Sequence, residues 1–257
     1  MDHVRLFRNR ANVRWKYRVH EQIIPAVKAA GGQVRAADVV IDHVGYLDRE
    51  FRGQKHERNL RLLLMDYADD PNEPFTLFNL GWSYLESGKT AESIPYMRRS
   101  LELSHPSDSI VRKLYALLTE AHWRLGQKKE ALTACRQGRK WYPDDMELLS
   151  KEAELRKALA DLRGAEACWL RLLRGQEGAH FASVGEGARG FATRHRLAEL
   201  YVQQGRLADA EAQWKQTLEE QPEYVPAVRG LEALYLGQQR SEKVDGLTAP
   251  LAAGDFA

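Results

Sequence analysis

One pattern recurs four times in these 257 residues: two helical periods separated by a tight turn, with a small residue a few positions after the turn. A chain that repeats a unit of roughly 35 residues stacks its units side by side, because no single unit can bury its own apolar face. The four segments are 74–106, 112–143, 146–173 and 191–222. Gly88, Gly126, Ala160 and Gly205 fall at the turn, in steps of 38, 34 and 45 residues, and Ser93, Ala131, Ala165 and Ala210 follow it. A small residue there lets two helices approach closely, and an aromatic side chain fills the space beside it. Trp169 and Trp214 occupy that aromatic position. Pro143 and Pro222 close two units, since proline has no backbone N–H with which to continue a helix.

The pattern resembles the tetratricopeptide repeat, whose unit of about 34 residues folds as two antiparallel helices. Leu80-Gly81 and Tyr84 match the Leu-Gly and Tyr of its first helix, and Ala131 and Ala210 match the small residue of its second. The resemblance implies a mainly all-α, right-handed solenoid of helical hairpins over residues 55–245. Half-units extend the array. Residues 55–71 read as a second helix ending at Pro71, with Leu60, Leu63 and Leu64 on its apolar face, and a further first helix begins after Pro222, carrying Val228, Leu231, Leu234 and Tyr235 at helical spacing. Two departures stand out. Glu152 and Arg156 sit where Leu and Tyr are usual, which predicts a distorted third unit, and residues 174–190 insert five glycines between the third and fourth units. Loops of that length are often functional.

The first fifty residues do not repeat. Residues 4–7, 13–19 and 33–41 read as short strands, and 23–32 as a short helix ended by Gly31-Gly32. So few elements make no stable sheet alone, so this α+β portion (1–54) requires partners from elsewhere. Its charge also differs: residues 1–61 carry 13 basic and seven acidic side chains, and the rest of the chain 25 and 29.

The stretches RLFRNR, RVHEQI, VIDHVGYLD and KHERNLRLLL resemble the end of a family 2 glycosyltransferase catalytic domain, of the bacterial type that a tetratricopeptide array follows directly. That resemblance implies nucleotide-sugar-dependent transfer in the complete protein. There, Mg²⁺ or Mn²⁺ held by an Asp-x-Asp motif, often with a late His, neutralises the leaving diphosphate while a carboxylate deprotonates the acceptor. By resemblance His20 is the late metal-binding His, with His43 as second choice, Glu21 is the candidate catalytic carboxylate, and Arg5, Arg8 and Arg14 face the diphosphate. No Asp-x-Asp precedes residue 20, and the Asp69-Asp70 and Asp144-Asp145 pairs fall in inter-helix turns. The chain alone is therefore expected to transfer no sugar and to hold no cofactor, Mn²⁺ or Mg²⁺ being expected only in a complete glycosyltransferase. It would be the product of a shortened gene or misplaced start, or the partner of a separate or upstream catalytic half.

Other signals have plainer explanations. GEGARG (185–190) spells a dinucleotide fingerprint but lies between helical repeats rather than in a strand–turn–helix context, so it reads as loop. Cys135 and Cys168 are too few for a disulfide framework and read as core residues of second helices. The basic, aromatic start could suit nucleic acid, but no nucleic-acid-binding fold accompanies it, and none is expected as a partner. No run approaches the ~20 apolar residues of a membrane span, so a cytoplasmic location is the default. Phe75, Phe78 and Trp82, at i, i+3 and i+7 of a first helix, are either core or part of a groove. His195, Arg196 and Glu199 lie on the equivalent face of the fourth unit. In tetratricopeptide arrays first helices line the concave face, so these six residues are the candidate surface for a protein or glycan acceptor, or for the partner of a non-catalytic scaffold. The Lys and Asn set that grips C-terminal carboxylates is missing, and the tail 246–257 is expected to fray.

Overall fold

A computed structural model describes residues 6–35, 49–175, 190–244 and 247. The described residues form eleven α-helices and a short 3-10 turn at 241–243. Two compact units divide the chain, Met1–Leu125 and Gly126–Ala257. The first holds α1 (Ile24–Ala29), α2 (Arg49–Asp69), α3 (Pro74–Glu86), α4 (Thr90–Leu103) and α5 (Val111–Arg124). The second holds α6 (Lys128–Trp141), α7 (Met146–Ala158), α8 (Leu162–Arg174), α9 (Phe191–Gln203), α10 (Leu207–Glu220) and α11 (Val225–Gly237). From α2 to α5 in the first unit, and from α6 to α11 in the second, each helix packs on the next.

The hairpin turns follow from one backbone requirement. Gly88, Gly126, Ala160 and Gly205 all have φ between 62° and 77°, and Gln239 joins them at 59°, marking a fifth unit in the same register. A left-handed residue at the end of a helix stops it and turns the chain back. Side-chain caps then start several helices: Glu73, Asp145 and Asp161 accept from the backbone N–H of Thr76, Leu148 and Gly164. Ser93, Ala131, Ala165 and Ala210 are completely buried, as the small-residue position requires. Helices pack closely at Gly81, where a Cβ would fall 2.5 Å from Met97 Cγ and 3.2 Å from its backbone nitrogen.

Two expectations need correction. Among the described residues no strand forms: 13–19 contribute only one antiparallel bridge, Lys16 to Gln22, and 33–35 are irregular. The short helix does form, over Ile24–Ala29. The Lys16, Tyr17 and Arg18 side chains and the Arg18 N–H bond α2 and the start of α3 rather than a sheet, so the α+β remnant is not seen among the described residues; 1–5 and 36–48, with most of the expected 33–41 strand, lie outside them. The third unit is also undistorted. Glu152, nearly inaccessible at 2%, accepts from Arg139 of α6 and from Arg156 one turn on, and Arg156 continues to Asp161. Burial alone would raise the Glu152 carboxyl pKa, but the two guanidinium hydrogen bonds overcome it and hold the group ionised. Most of the 174–190 insertion, including GEGARG up to Gly190, and nearly all of the tail lie outside the described residues.

Candidate partner-binding surface

In the first unit the α3 stripe forms a ladder of rings. Phe75 and Phe78 lie 6.2 Å apart and Phe78 and Trp82 5.6 Å apart, with Lys113 of α5 over the Trp82 ring at 5.9 Å. Phe78 is buried, whereas Trp82 remains 37% exposed and its indole N–H reaches Glu86 at 3.4 Å. The stripe is therefore core at its middle and surface at its far end.

Tyr17 adds a rung at the near end, 4.8 Å from Phe75. Its hydroxyl donates to Glu73 at 2.6 Å, and Lys16 donates to the same carboxylate at 3.2 Å. Arg18 donates from its backbone N–H to Asp66 at 3.1 Å and from its guanidinium to Asp66 and Asp69, both at 2.6 Å. Val19 packs with Leu63 and Leu80 in a small apolar cluster. Burial and the Glu73 carboxylate push the Tyr17 phenol far above its ordinary range. Glu73 is held low despite its burial, because Tyr17, Thr76 and Lys16 all donate to it.

The residues assigned by glycosyltransferase resemblance fare differently. His20 is exposed, with a left-handed backbone (φ 56°). His43 and Arg5 lie outside the described residues. Arg14 lines an open hollow of about 420 Å³ beside Phe7 and Trp15, whereas Arg8 is exposed but not among its lining residues. Among the described residues no three His, Cys, Asp or Glu side chains converge as a metal site requires.

In the second unit the three polar candidates are brought together, but chiefly by one another and by α7. Arg196 pairs with Glu154, while Lys157 and His195 both approach Glu199 at 3.7 Å. His195 Nδ1 accepts the indole N–H of Trp214 at 2.9 Å, and Tyr224 packs edge-on at 5.5 Å. This arrangement fixes His195 as the Nε2–H tautomer.

A recurring inter-repeat clamp went unpredicted. Tyr201 hydrogen-bonds Glu166 of the preceding second helix, and Arg206 stacks on Tyr201 at 4.1 Å and donates to the same carboxylate at 2.9 Å. One unit later Tyr235, Arg240 and Glu211 repeat it, holding Glu211 at a pKa of about 2. Its sequence signal was a Tyr followed five residues later by Arg.

Tetratricopeptide-repeat family profiles match residues 76–104 and 195–241. No curated protein matches the chain. Solved structures share the fold. The crystal structure of MamA is 16% identical with a TM-score of 0.57, covering 72% of this chain and 99% of its own. YrrB, described as a tetratricopeptide-repeat protein with an unusual peptide-binding site, is 14% identical with a TM-score of 0.56, over 71% and 86%. BtubC from P. vanneervenii is 14% identical with a TM-score of 0.60, over 81% and 93%. The chain thus carries tetratricopeptide repeats in an all-α fold. Among the described residues no helix is long and apolar enough to cross a membrane.

Proposed function

We propose that this protein is an interaction scaffold that takes up an extended peptide along the first-helix face of its first unit. The observation that carries this reading is the ring ladder Phe75–Phe78–Trp82 ending in a part-exposed indole beside Lys113. A few residues carry most of the energy of a protein interface, and Trp is enriched among them. The unusual peptide-binding site of YrrB, which shares this fold, supports it. The test is a peptide array probed with the whole chain and with Trp82→Ala. The wild type is expected to select a related set of peptides, and the variant to bind them about 30-fold more weakly, a loss of ~2 kcal/mol. Unchanged binding by the variant overturns the reading.

The second reading is the tail of a metal-dependent family 2 glycosyltransferase, with the repeats placing a protein or glycan acceptor. It is favoured by the bend that leads into His20 and Glu21, where Tyr17 and His20 both hold left-handed backbones, since such strain concentrates at functional sites. Joined to an upstream nucleotide-binding half, the chain should then show Mn²⁺-dependent thermal stabilisation by a nucleotide diphosphate, which His20→Ala abolishes.

A further inference from the structure

The first rung of the ring ladder comes from outside the repeat. Lys16–Val19 seats on α2 and α3 in a fixed order: Lys16 and Tyr17 on Glu73, the Tyr17 ring on Phe75, Arg18 on Asp66 and Asp69, and Val19 against Leu63 and Leu80. The seat belongs to the repeat itself. Glu73 caps α3 through the Thr76 N–H, and that bond does not involve the segment. The occupant is held in a more reversible way. The Arg18–Asp69 pair, 39% and 63% exposed, is open to screening by salt, and the Lys16 and Arg18 side chains reach the more buried Glu73 and Asp66 from the solvent side, 58% and 39% exposed. Apart from the single bridge to Gln22 the segment makes no sheet, and within that bridge Tyr17 of the segment and the adjoining His20 carry left-handed strain that release would relieve.

We infer that Lys16–Val19 is a built-in occupant of the peptide-binding surface, and that the partner is an extended segment of the same chemistry, basic–aromatic–basic–aliphatic in consecutive positions, which displaces it. This rests on the ladder being a peptide-binding surface. Charge complementarity sets the partner's sign: the seat presents Asp66, Asp69 and Glu73, so an acidic peptide is repelled where a basic one is drawn in. The aromatic residue is specified by Phe75 together with a carboxylate that accepts a phenolic hydroxyl. Until displaced, the segment acts as an internal competitor that lowers the apparent affinity of the surface.

A fluorescent peptide of residues 13–23 is titrated by anisotropy against the whole chain and against a Tyr17→Ala/Arg18→Ala variant that loosens the occupant. The variant is expected to bind at least tenfold more tightly than the wild type, more weakly in high salt, and not to bind a peptide with Tyr17→Ala. Equal or absent binding in both chains, with helical circular dichroism retained, overturns the inference. Native-state hydrogen exchange on the wild type tests it without any variant. The Arg18 amide, which donates to Asp66, should exchange through a local opening well before Leu80 of α3. Equal protection at the two positions makes the segment a permanent part of the unit and overturns the inference. If Trp82→Ala abolishes array binding while the 13–23 peptide does not bind, the scaffold reading stands and only this inference falls.

Discussion

Single residues decide how each hairpin turns and where protonation is tolerated. Ala160 alone among the four turn positions named from the sequence keeps a Cβ at a left-handed backbone, φ 62°. Such a conformation costs a non-glycine residue about 1–2 kcal/mol, part of which glycine gives back through its freer unfolded chain. Ala160→Gly should therefore stabilise the protein by about 0.5–1 kcal/mol, read from the midpoint of denaturant unfolding. His195 sets a pH limit. Burial lowers its imidazole pKa, Arg196 and Lys157 add to the shift, and Glu199 opposes it. A proton on Nδ1 would also displace the Trp214 indole N–H that this nitrogen accepts. The unfolded chain protonates near 6.5 while the folded one resists, so the contribution of neutral His195 is complete above that value and is lost as pH falls through the lowered folded one. Between about pH 7.5 and pH 5 the melting temperature of the wild type should fall further than that of His195→Gln. Parallel falls would show that other groups carry the acid sensitivity.

Between elements, the third unit shows how a repeat tolerates the wrong residues. Leucine and tyrosine positions hold Glu152 and Arg156, and Arg139 from α6 completes a buried charge network instead of an apolar contact. Removing one member of such a network strands the others away from water, at a cost of about 3–5 kcal/mol. Glu152→Ala should destabilise the protein by about that amount in urea unfolding. A triple change, Arg139→Met with Glu152→Leu and Arg156→Tyr, restores the family's apolar pattern and should recover most of the loss. If Glu152→Ala costs under about 1 kcal/mol, the network is a surface one in energetic terms. The Tyr–Arg–Glu clamp acts on the same scale, tying α9 to α8 and α11 to α10 through one shared carboxylate each.

Across the whole chain each compact unit carries its own buried cluster, centred on Leu63 and Leu80 in the first and on Trp169, Leu197 and Leu231 in the second. Both cysteines belong to the second unit: Cys135 is fully buried with its thiol directed at the Leu148 carbonyl, and burial raises the Cys168 thiol pKa. A disulfide-exchange reagent at neutral pH should label both slowly, at a rate that follows opening of that unit and becomes immediate in denaturant. Fast labelling in native buffer would contradict the packing. What the sequence determined by itself was everything that repeats: the helical period, the turn register and the small buried residues, because each is fixed by contacts within about 34 residues. It also marked the Phe75–Trp82 stripe and the His195 face as candidate surfaces. It did not determine the fate of residues 13–19, whose alternating apolar pattern suits a strand; only the presence of Asp66, Asp69 and Glu73, about 50 positions away, decides that they dock on helices instead. Nor could it tell that Glu152 and Arg156 neutralise each other rather than distort their unit. Charge pairing across elements depends on distances that only the tertiary structure sets, and burial makes those distances decisive.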